Sequence, residues 1–371
     1  MAFVGDRYLA IISGETRGLP AEFARGVLWL ISLLYRGIIA LRNGHYNAWR
    51  HAAKQAGCPV ISVGNITVGG TGKTPVAAHV ANLLVQRGRR TAILLRGYKG
   101  GVIQFDDEQV EQAVGRWRRE SDEALVLKRR CPRAMVIADP DRVAAARRAV
   151  ARGVQAIVLD DGFQHRRLAR RLDIVLVDAT SPFGYGRLLP RGLLREPMGN
   201  LRRADLIVLT RSNQVHETER DVLVHRLERI SGGRPVICAA HRLGGFVDVK
   251  GRELVVEDPT AVQAILFAGI GNFEGFRRSV EELGVRVAAA YRYPDHHDYG
   301  TEEIEGLLDV AATLEANALI TTEKDAVKLV GRWPDEGCRL LVTRLDIEFD
   351  AEGDRILAAA LDAVLGVGHE A

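Results

Sequence analysis

The stretch Val60-Ile61-Ser62-Val63-Gly64-Asn65-Ile66-Thr67-Val68-Gly69-Gly70-Thr71-Gly72-Lys73-Thr74 decides the fold of this chain. Its apolar beginning predicts a buried strand, and the amphipathic residues 76–86 predict a helix after the loop. A glycine-rich loop between strand and helix, closed by Gly-Lys-Thr, is typical of a phosphate-binding loop. Its glycines let main-chain N–H groups approach phosphate oxygens, and the helix N-terminus favours negative charge. We therefore expect a nucleoside triphosphate site.

Individual residues of this loop have predicted roles. The residues expected to bind ATP are Thr67, Val68, Gly69, Gly70, Thr71, Gly72, Lys73 and Thr74. Lys73 would reach the β- and γ-phosphates, and the Thr74 hydroxyl would hold Mg²⁺. The strict pattern has glycine at the position of Thr67, so the match is imperfect. The alternative is a glycine-rich turn with a chance Lys-Thr pair, which the strand–loop–helix context disfavours.

Length and composition indicate an ordinary folded protein. The chain has 371 residues, of which 47% are hydrophobic and 26% charged, with a net charge of +4. This length favours two domains, and the small charge does not indicate a nucleic-acid partner. Arginines cluster at 116–119, 129–133 and 166–171, which is typical of solvated surface; the alternative is an anionic partner such as phosphate or a lipid headgroup. The four cysteines form no Cys-x-x-Cys pair, which favours a reduced cytoplasmic setting.

The N-terminal region, residues 1–45, contains a strongly apolar segment at 23–41. Arg25 and Arg36 interrupt it, so it is a marginal membrane span. The arginines could extend to the lipid–water interface while Trp29 and Tyr35 lie there, which favours an interfacial helix. The alternative is an ordinary core helix. Residues 1–20 lack the apolar region of a cleavable signal peptide.

The rest of the chain alternates between strand-like and helix-like segments. Strands are predicted at 60–63, 91–95, 134–138, 156–159, 173–177, 206–210, 236–240, 264–268, 285–290, 318–322 and 340–342, and helices at 76–86, 123–128 and 142–152. Such alternation predicts an α/β fold with a mostly parallel sheet. We expect a P-loop NTPase-type domain at 46–240 and, at 241–371, a β-hairpin linker followed by a second, smaller α/β domain.

A pair of aspartates follows one of the predicted buried strands. Asp160 and Asp161 end the apolar run 156–159, where a Walker-B site would ligate or orient Mg²⁺. Ligands of open α/β sheets collect beyond the carboxyl ends of strands. The alternative is a strand-terminal turn, because Asp-Asp-Gly is good turn chemistry. The phosphate loop in the same predicted domain favours the metal site.

Two further polar segments are candidates for proton transfer. Ser121 could cap a helix that begins with Asp122, and Asp122 could equally orient or deprotonate an incoming hydroxyl. The cluster 293–299 contains His296 and His297 beside aspartates, but its spacing is not that of a metal site. A histidine paired with a carboxylate can accept a proton near neutral pH. The segment 321–325 ends another strand and is either part of the site or a charged turn.

Together, these separated motifs resemble those of the tetraacyldisaccharide 4′-kinase family, the lipid A kinases of Gram-negative bacteria. The resemblance covers most of the chain, and Thr67 is typical of the family's loop. The other similar motifs are Leu95-Arg96-Gly97-Tyr98, Leu159-Asp160-Asp161-Gly162-Phe163-Gln164-His165, Arg187-Leu188-Leu189-Pro190, Leu194-Arg195-Glu196-Pro197 and Thr322-Glu323-Lys324-Asp325-Ala326-Val327-Lys328.

The resemblance implies a specific reaction and location. It implies ATP, Mg²⁺ and phosphorylation of the 4′-hydroxyl of an acylated glucosamine disaccharide 1-phosphate, giving lipid IVA. It also implies an N-terminal helix at the cytoplasmic face of the inner membrane, and no obligate protein partner is evident. The family's Gly-Asp-Glu acid corresponds to Asp122, with Ser121 replacing the glycine, and its catalytic histidine corresponds to His296. A role for His297 stays open.

These assignments predict in-line transfer of the γ-phosphoryl group. Lys73, the loop amides and Mg²⁺ would offset negative charge, while Asp122 with His296 would take the hydroxyl proton. The rival functions are a P-loop ATPase switch or metallochaperone, and a membrane scaffold that binds nucleotide without chemistry. An ATPase switch or metallochaperone would hydrolyse ATP fast without lipid and would not need the membrane helix. The cluster of aspartates and histidines argues against a scaffold that performs no chemistry.

Overall fold

The computed structural model describes residues 4–48, 53–97, 103–105, 122–334 and 337–366, without the side chains of 4–6 and 103–105. The cap at Ser121, the motif residue Tyr98 and the arginine run 116–119 lie outside the described residues. In chain order the elements are α1 (Val4–Ser13), α2 (Leu19–Ala48), β1 (Val60–Asn65), α3 (Lys73–Gln86), β2 (Thr91–Leu95), β3 (Ile103–Phe105), α4 (Asp122–Arg130), β4 (Met135–Ala138), α5 (Arg142–Ala151), β5 (Ala156–Asp160), β6 (Leu172–Asp178), β7 (Leu206–Thr210), α6 (Glu217–Ser231), β8 (Val236–Val247), β9 (Glu253–Leu254), β10 (Gln263–Ala268), α7 (Phe273–Glu282), β11 (Arg286–Arg292), α8 (Thr301–Thr313), β12 (Ala318–Thr322), α9 (Glu323–Leu329), β13 (Arg339–Phe349) and α10 (Ala351–Leu365).

The chain forms two compact units. Unit 1 comprises Met1–Arg96, Asp141–Ala240 and Glu348–Ala371, and unit 2 comprises Gly97–Pro140 and His241–Ile347. These units differ from the predicted boundaries at 46–240 and 241–371. Periodicity reports local structure, and it cannot show on which unit an inserted segment packs.

The segment Gly97–Pro140 joins unit 2 because α4 packs on α9 there. Arg130 of α4 forms an ion pair with Glu323 of α9. At the other end of the chain, α10 joins unit 1, where Asp362 accepts a hydrogen bond from Arg87 Nε at 2.7 Å.

Unit 1 is built on a parallel sheet. Its strands lie side by side in the order β2-β5-β1-β6-β7-β8, and every neighbouring pair is parallel. The strands β1, β5 and β7 are buried along their whole length, as their continuous apolar sequences predict. The chain leaves β1 toward β2 on one side and later enters β6 on the other. The carboxyl end of β1 is therefore a topological switch point, where ligands of such sheets bind.

Unit 2 has its own parallel strands in the order β11-β10-β12-β13. The predicted hairpin is present, with Phe246 of β8 opposite Leu254 of β9. The glycine-containing turn after β10 leads into α7, whose first turn is capped by Asn272. The predicted fold class is confirmed: a P-loop-type parallel α/β unit, a second α/β unit with a β-hairpin, and an apolar N-terminal helix.

The helix α2 has an unusual distribution of polarity. Polar residues Arg25, Ser32 and Asn43 are buried, whereas large apolar side chains are exposed. Those exposed side chains include Leu19, Phe23, Val27, Leu30, Leu34, Ile38 and Leu41. By length and composition α2 is the one described helix that could cross a membrane, and only 17% of its most apolar window is buried. This distribution favours membrane association over a core helix.

We predict that Gly64→Ala destabilises unit 1. An ideal Cβ on Gly64 would lie 2.6 Å from the main-chain N of Phe163, so strand β1 or the Asp-Asp-Gly-Phe turn would have to move. We expect a loss of about 1–3 kcal/mol and a lower Tm in a thermal melt. The control is Gly199→Ala, because a Cβ there meets nothing within 4 Å. Equal melting temperatures for the two variants would contradict this account.

Candidate active site

The phosphate-binding loop lies between β1 and α3, as its sequence predicts. Gly69 and Gly72 have positive φ angles of 124° and 81°, which glycine adopts without steric cost. Val68, Gly69 and Gly70 are exposed, whereas Thr67 and Thr71 are buried. The loop therefore presents its glycine-rich tip to solvent at the carboxyl end of the sheet.

Side chains from inside unit 1 hold the loop in shape. Asn65 Nδ2 donates to Thr71 Oγ1 at 2.9 Å, and Thr210 Oγ1 donates to the Thr71 carbonyl at 3.0 Å. Arg211 Nη2 donates to the Gly70 carbonyl at 2.6 Å, and the same guanidinium pairs with Asp178. Residues 210 and 211 follow β7, so an adjacent βα connection fixes the loop's carbonyl groups.

The segment 187–195 braces the other side of the loop. The Val68 N–H donates to the Leu193 carbonyl at 2.8 Å, and the Arg195 N–H donates to the Ile66 carbonyl at 2.7 Å. Thr67 and Leu194 form an antiparallel bridge. The motif Leu194–Pro197 therefore belongs to the scaffold of the phosphate site. The motif Arg187–Pro190 is joined to it, because the Leu194 N–H donates to the Arg187 carbonyl at 3.0 Å.

The aspartates after β5 have different partners. Thr74 Oγ1 lies 3.2 Å from Asp160 Oδ2 and donates to it. Asp161 instead receives two hydrogen bonds of 2.8 Å from Arg195 Nη1, and its Oδ1 lies 3.8 Å from Lys73 Nζ. Asp161 also has a left-handed φ of 50°, which turns the chain directly after the strand. The structure thus separates two carboxylates that the sequence presents as an equivalent pair.

Charge around Asp161 keeps its carboxylate ionised. Burial alone would raise the pKa of Asp161, but the positive charges of Lys73 and Arg195 together lower it below its ordinary value. Arg142 contributes in the same direction and donates to the Asp161 carbonyl at 3.0 Å. At neutral pH, therefore, a negative carboxylate lies between two cationic side chains that could each contact phosphate.

The donor set beside Thr74 fits Mg²⁺. A hydroxyl and a carboxylate 3.2 Å apart are hard oxygen donors, and Mg²⁺ in nucleotide sites takes one or two such protein ligands plus phosphate oxygens. Among the side chains that the structure describes, no group of three His, Cys, Asp or Glu residues forms a metal cluster. Asp160 and Thr74 would accordingly hold the ion together with phosphate, with Asp161 close by.

In unit 2, Asp122 and His296 form a pair. Asp122 is the first residue of α4, and its Oδ2 lies 3.2 Å from His296 Nδ1. The hydrogen bond that His296 donates to the Asp122 carboxylate raises the pKa of His296 above its ordinary value. Burial would raise the pKa of Asp122, but His296 and Lys328 together lower it. The structure thus brings together two residues that lie far apart in the sequence.

The neighbouring His297 has a different environment. Its Nε2 lies 3.0 Å from both carboxylate oxygens of Glu303, which also accepts a hydrogen bond from the Gly300 N–H. Its ring stacks on Tyr293 with centroids 4.7 Å apart. These contacts join the loop 293–300 to α8, whereas the adjacent His296 is 57% exposed and pairs with Asp122.

Several residues of the site could not be identified from the sequence. Arg195, Arg211 and Lys328 contact the predicted residues, but the sequence alone predicts no role for them. Arg195 and Lys328 lie in family-like motifs, so the sequence marks them, but it does not show which residues they contact. Arg211 had no signal beyond following a strand. Only the three-dimensional arrangement shows which of the many arginines lies beside the loop.

Comparisons with known proteins point to one family. The family model described as Tetraacyldisaccharide-1-P 4′-kinase matches residues 24–365. Proteins named Tetraacyldisaccharide 4′-kinase are similar along most of their length. The one from Anaeromyxobacter sp. (strain K) is 41% identical over 96% of this chain and 95% of its own. The one from Geobacter metallireducens is 40% identical over 82% and 88%.

A solved structure shows the same fold. LpxK from Aquifex aeolicus, crystallised in complex with ATP, superposes with a TM-score of 0.71 at 28% sequence identity. The match covers 92% of this chain and 99% of the Aquifex protein. The predicted nucleotide, ATP, is therefore supported by a structural relative as well as by the loop geometry.

We predict that Lys73→Met weakens ATP binding by about 10–100-fold, because it removes a charged donor to phosphate. Isothermal titration calorimetry with Mg²⁺ and ATP, without lipid, measures this change. The control is Lys54→Met, since Lys54 is an exposed lysine of unit 1. Equal affinity of the Lys73→Met and parent proteins would contradict the assigned site.

Proposed function

This chain belongs to the tetraacyldisaccharide-1-P 4′-kinase family, and we propose that it transfers the ATP γ-phosphoryl group to the 4′-hydroxyl of a tetraacyldisaccharide 1-phosphate. The product would be lipid IVA, an intermediate of lipid A biosynthesis. The observation that carries the assignment of roles is the Asp122–His296 contact of 3.2 Å. A phosphate loop alone is common to kinases, ATPases and switches, whereas a paired carboxylate and imidazole supply the proton acceptor that a kinase needs.

The phosphate loop binds and orients the donor nucleotide in this proposal. The main chain of 67–72 would surround the phosphates, and Lys73 would contact the β- and γ-phosphates. Arg195 already lies 2.8 Å from Asp161, so its guanidinium is held in one orientation before nucleotide binds. Such preorganised cations stabilise charge on the transferring group without reorganising during the reaction.

We assign the metal to Thr74 and Asp160, with Asp161 as a further oxygen donor. The 3.2 Å contact between Thr74 and Asp160 supports this assignment. Bound Mg²⁺ would supply positive charge that offsets the charge on the phosphate oxygens. Asp161 has a second role, because it balances the charges of Lys73 and Arg195 and so fixes both side chains.

The acceptor proton passes to the Asp122–His296 pair. The 4′-hydroxyl is a poor nucleophile while protonated, and it loses its proton as the new O–P bond forms. In the resting pair Asp122 is ionised and His296 is neutral above its pKa. After transfer the pair holds one additional proton, and ADP leaves with the bridging oxygen. His296 is half exposed, so the proton can then return to water.

The apolar face of α2 supports a location at the cytoplasmic face of the inner membrane. An acylated disaccharide lies in a bilayer, so the enzyme must reach a lipid surface. The exposed Leu30 and Leu34 would enter the apolar region of the bilayer, while the buried Asn43 side chain donates to Glu196 at 3.2 Å. The helix is thereby attached to the phosphate-loop unit through its polar face.

That attachment is specific. Glu196, with no exposed surface, accepts hydrogen bonds from Arg42, Asn43, Asn200 and Arg203. Its neighbour Arg195 donates a main-chain N–H to the phosphate loop, and Tyr35 of α2 donates to the Arg195 carbonyl at 3.0 Å. One short segment thus contacts both the lipid-facing helix and the nucleotide loop.

We predict that Asp122→Asn and His296→Ala each lower kcat for lipid phosphorylation by about 10²–10⁴-fold, because each removes part of the proton acceptor. Transfer of labelled phosphate from ATP to the lipid acceptor measures kcat and KM. The control is Asp298→Asn, which removes an exposed carboxylate of the same loop that pairs with Arg332. Near-normal kcat in Asp122→Asn and His296→Ala would rule the pair out.

The same assay has a pH signature and separates the rival functions. Activity should fall as pH falls through the pKa of His296, which Asp122 raises above its ordinary value.

An ATPase switch or metallochaperone would hydrolyse ATP at an equal rate without lipid. Acceptor-independent hydrolysis by the parent protein would therefore favour that rival.

We predict that the double substitution Leu30→Asp/Leu34→Asp reduces binding to anionic phospholipid vesicles by at least about 10-fold, because both side chains lose apolar contact with the bilayer. Co-sedimentation measures the bound fraction, and unchanged circular dichroism is expected because both residues are exposed. The control is Val222→Asp, at an exposed apolar position of α6. Unchanged sedimentation of the double variant would contradict a lipid-facing α2.

A further inference from the structure

A buried ion pair lies on α9, in the motif that ends the strand β12. Asp325 has no exposed surface and Lys328 is 5% exposed, and Lys328 Nζ lies 3.0 Å from Asp325 Oδ1. Such charged side chains are seldom fully buried, and removing one partner usually destabilises the fold strongly. The Asp325–Lys328 pair is therefore costly to bury, and it has no part in the proton transfer proposed for Asp122 and His296.

Asp325 is held rigidly by its other contacts. Its Oδ2 accepts hydrogen bonds from the Gly269 N–H at 3.0 Å and from Thr322 Oγ1 at 2.8 Å. Gly269 follows β10 and Thr322 ends β12, so adjacent parallel strands fix this carboxylate. With both oxygens occupied, Asp325 keeps the ammonium of Lys328 in one place.

That ammonium also reaches the proposed proton acceptor. Lys328 Nζ lies 3.5 Å from Asp122 Oδ2, the same oxygen that contacts His296 Nδ1 at 3.2 Å. Lys328 thus lies between one carboxylate that is fully buried and another that is 12% exposed. The centroid of the Tyr299 ring lies 5.9 Å from the ammonium.

A purely structural explanation is available but insufficient. An ion pair could simply attach α4 to α9, yet Arg130 and Glu323 already join these helices. A second link between the helices would not need to touch the carboxylate that pairs with His296. The position of Lys328 therefore indicates that it acts on the orientation and charge of the Asp122 carboxylate.

We propose that Lys328, held by Asp325, is a positioning residue that fixes the orientation and negative charge of the Asp122 carboxylate against His296. The inference rests on the proposed function, in which Asp122 and His296 accept the hydroxyl proton. It extends that function inward along a chain of alternating charge, from the half-exposed His296 through Asp122 to the buried Lys328 and Asp325.

The charged groups around Asp122 determine in which direction its pKa should change when Lys328 is replaced. His296 and Lys328 face it directly, and Lys324 acts at longer range while donating to Asp295 at 2.6 Å. Burial raises the pKa of Asp122, whereas these three groups lower it. Without Lys328 one of the three is lost, so the coupled pair would take up a proton at higher pH.

The test is the pH profile of kcat/KM for Lys328→Met, an apolar side chain of similar length. We expect the acid limb to move up by about one pH unit and the rate on that limb to fall about tenfold. The control is Lys128→Met. Lys128 is another buried lysine of unit 2, and it donates to the carbonyls of Pro132 and Ala134. A general loosening of unit 2 would lower the rate in both variants without moving the acid limb.

A double variant guards against misfolding. Lys328→Met alone leaves Asp325 buried without its ammonium, so Lys328→Met/Asp325→Asn removes both charges while an amide oxygen can still accept from Gly269. We expect the double variant to melt closer to the parent protein. Its acid limb should still be displaced upward, though by less than in Lys328→Met, because the lost negative charge of Asp325 acts in the opposite direction from farther away. An acid limb at the parent position in a folded double variant would overturn the inference.

A measurement without catalysis separates this inference from the proposed function. The ring signals of His296, identified by their loss in His296→Asn, can be titrated by NMR in the complete protein. We expect the apparent pKa of the Asp122–His296 pair to rise by about one unit in Lys328→Met and to stay unchanged in Lys128→Met. An unchanged titration in Lys328→Met would overturn the positioning role. Full kinase activity of Asp122→Asn would instead overturn the proposed base.

Discussion

The structure depends on paired charges that are wholly or partly removed from water near the ends of parallel strands. In unit 1 the carboxylate of Asp161 lies between Lys73 and Arg195, and in unit 2 the ammonium of Lys328 lies between Asp122 and Asp325. A buried charge without a partner costs several kcal/mol, so each of these groups fixes the position of the next. The same ion pairs that make these charges tolerable in the fold also hold the side chains of the site in fixed positions. The electrostatics that hold these side chains in place are those that phosphoryl transfer requires.

The segment 187–203 connects this chemistry to the lipid surface. It contributes main-chain groups to the phosphate loop, a guanidinium to Asp161 and a buried glutamate to α2. The helix α2 contacts this segment through Tyr35, Arg42 and Asn43. It buries several polar residues and exposes large apolar ones, the reverse of a helix on a soluble protein. That inversion is physically reasonable only if another apolar medium covers the exposed face. A kinase with an acylated substrate has such a medium available.

Much of this was predictable from sequence, for identifiable reasons. Continuous apolar runs located β2, β7 and β12 at their observed bounds, because strands buried on both faces carry a strong local signal. The loop 67–74 was predictable because glycine spacing and Lys-Thr encode a backbone shape. The family motifs also indicated that Asp122 and His296 matter, and the structure places them in contact. The assignment of Gly97–Pro140 to unit 2 was not predictable, because an inserted segment carries no local mark of what it packs on. The roles of Arg195 and Lys328 were not predictable for the same reason, since an ion pair between residues distant in the sequence leaves no periodic pattern.

The most direct test of this account is the chemical structure of the product. The purified protein would be incubated with Mg²⁺, ATP and tetraacyldisaccharide 1-phosphate in mixed micelles, and the lipid analysed by mass spectrometry and ³¹P NMR. The account predicts one added phosphate, a new phosphomonoester signal coupled to the 4′-proton, and one ADP formed per lipid converted. Formation of ADP at the same rate with and without the lipid, or a phosphate at any other hydroxyl, would contradict it.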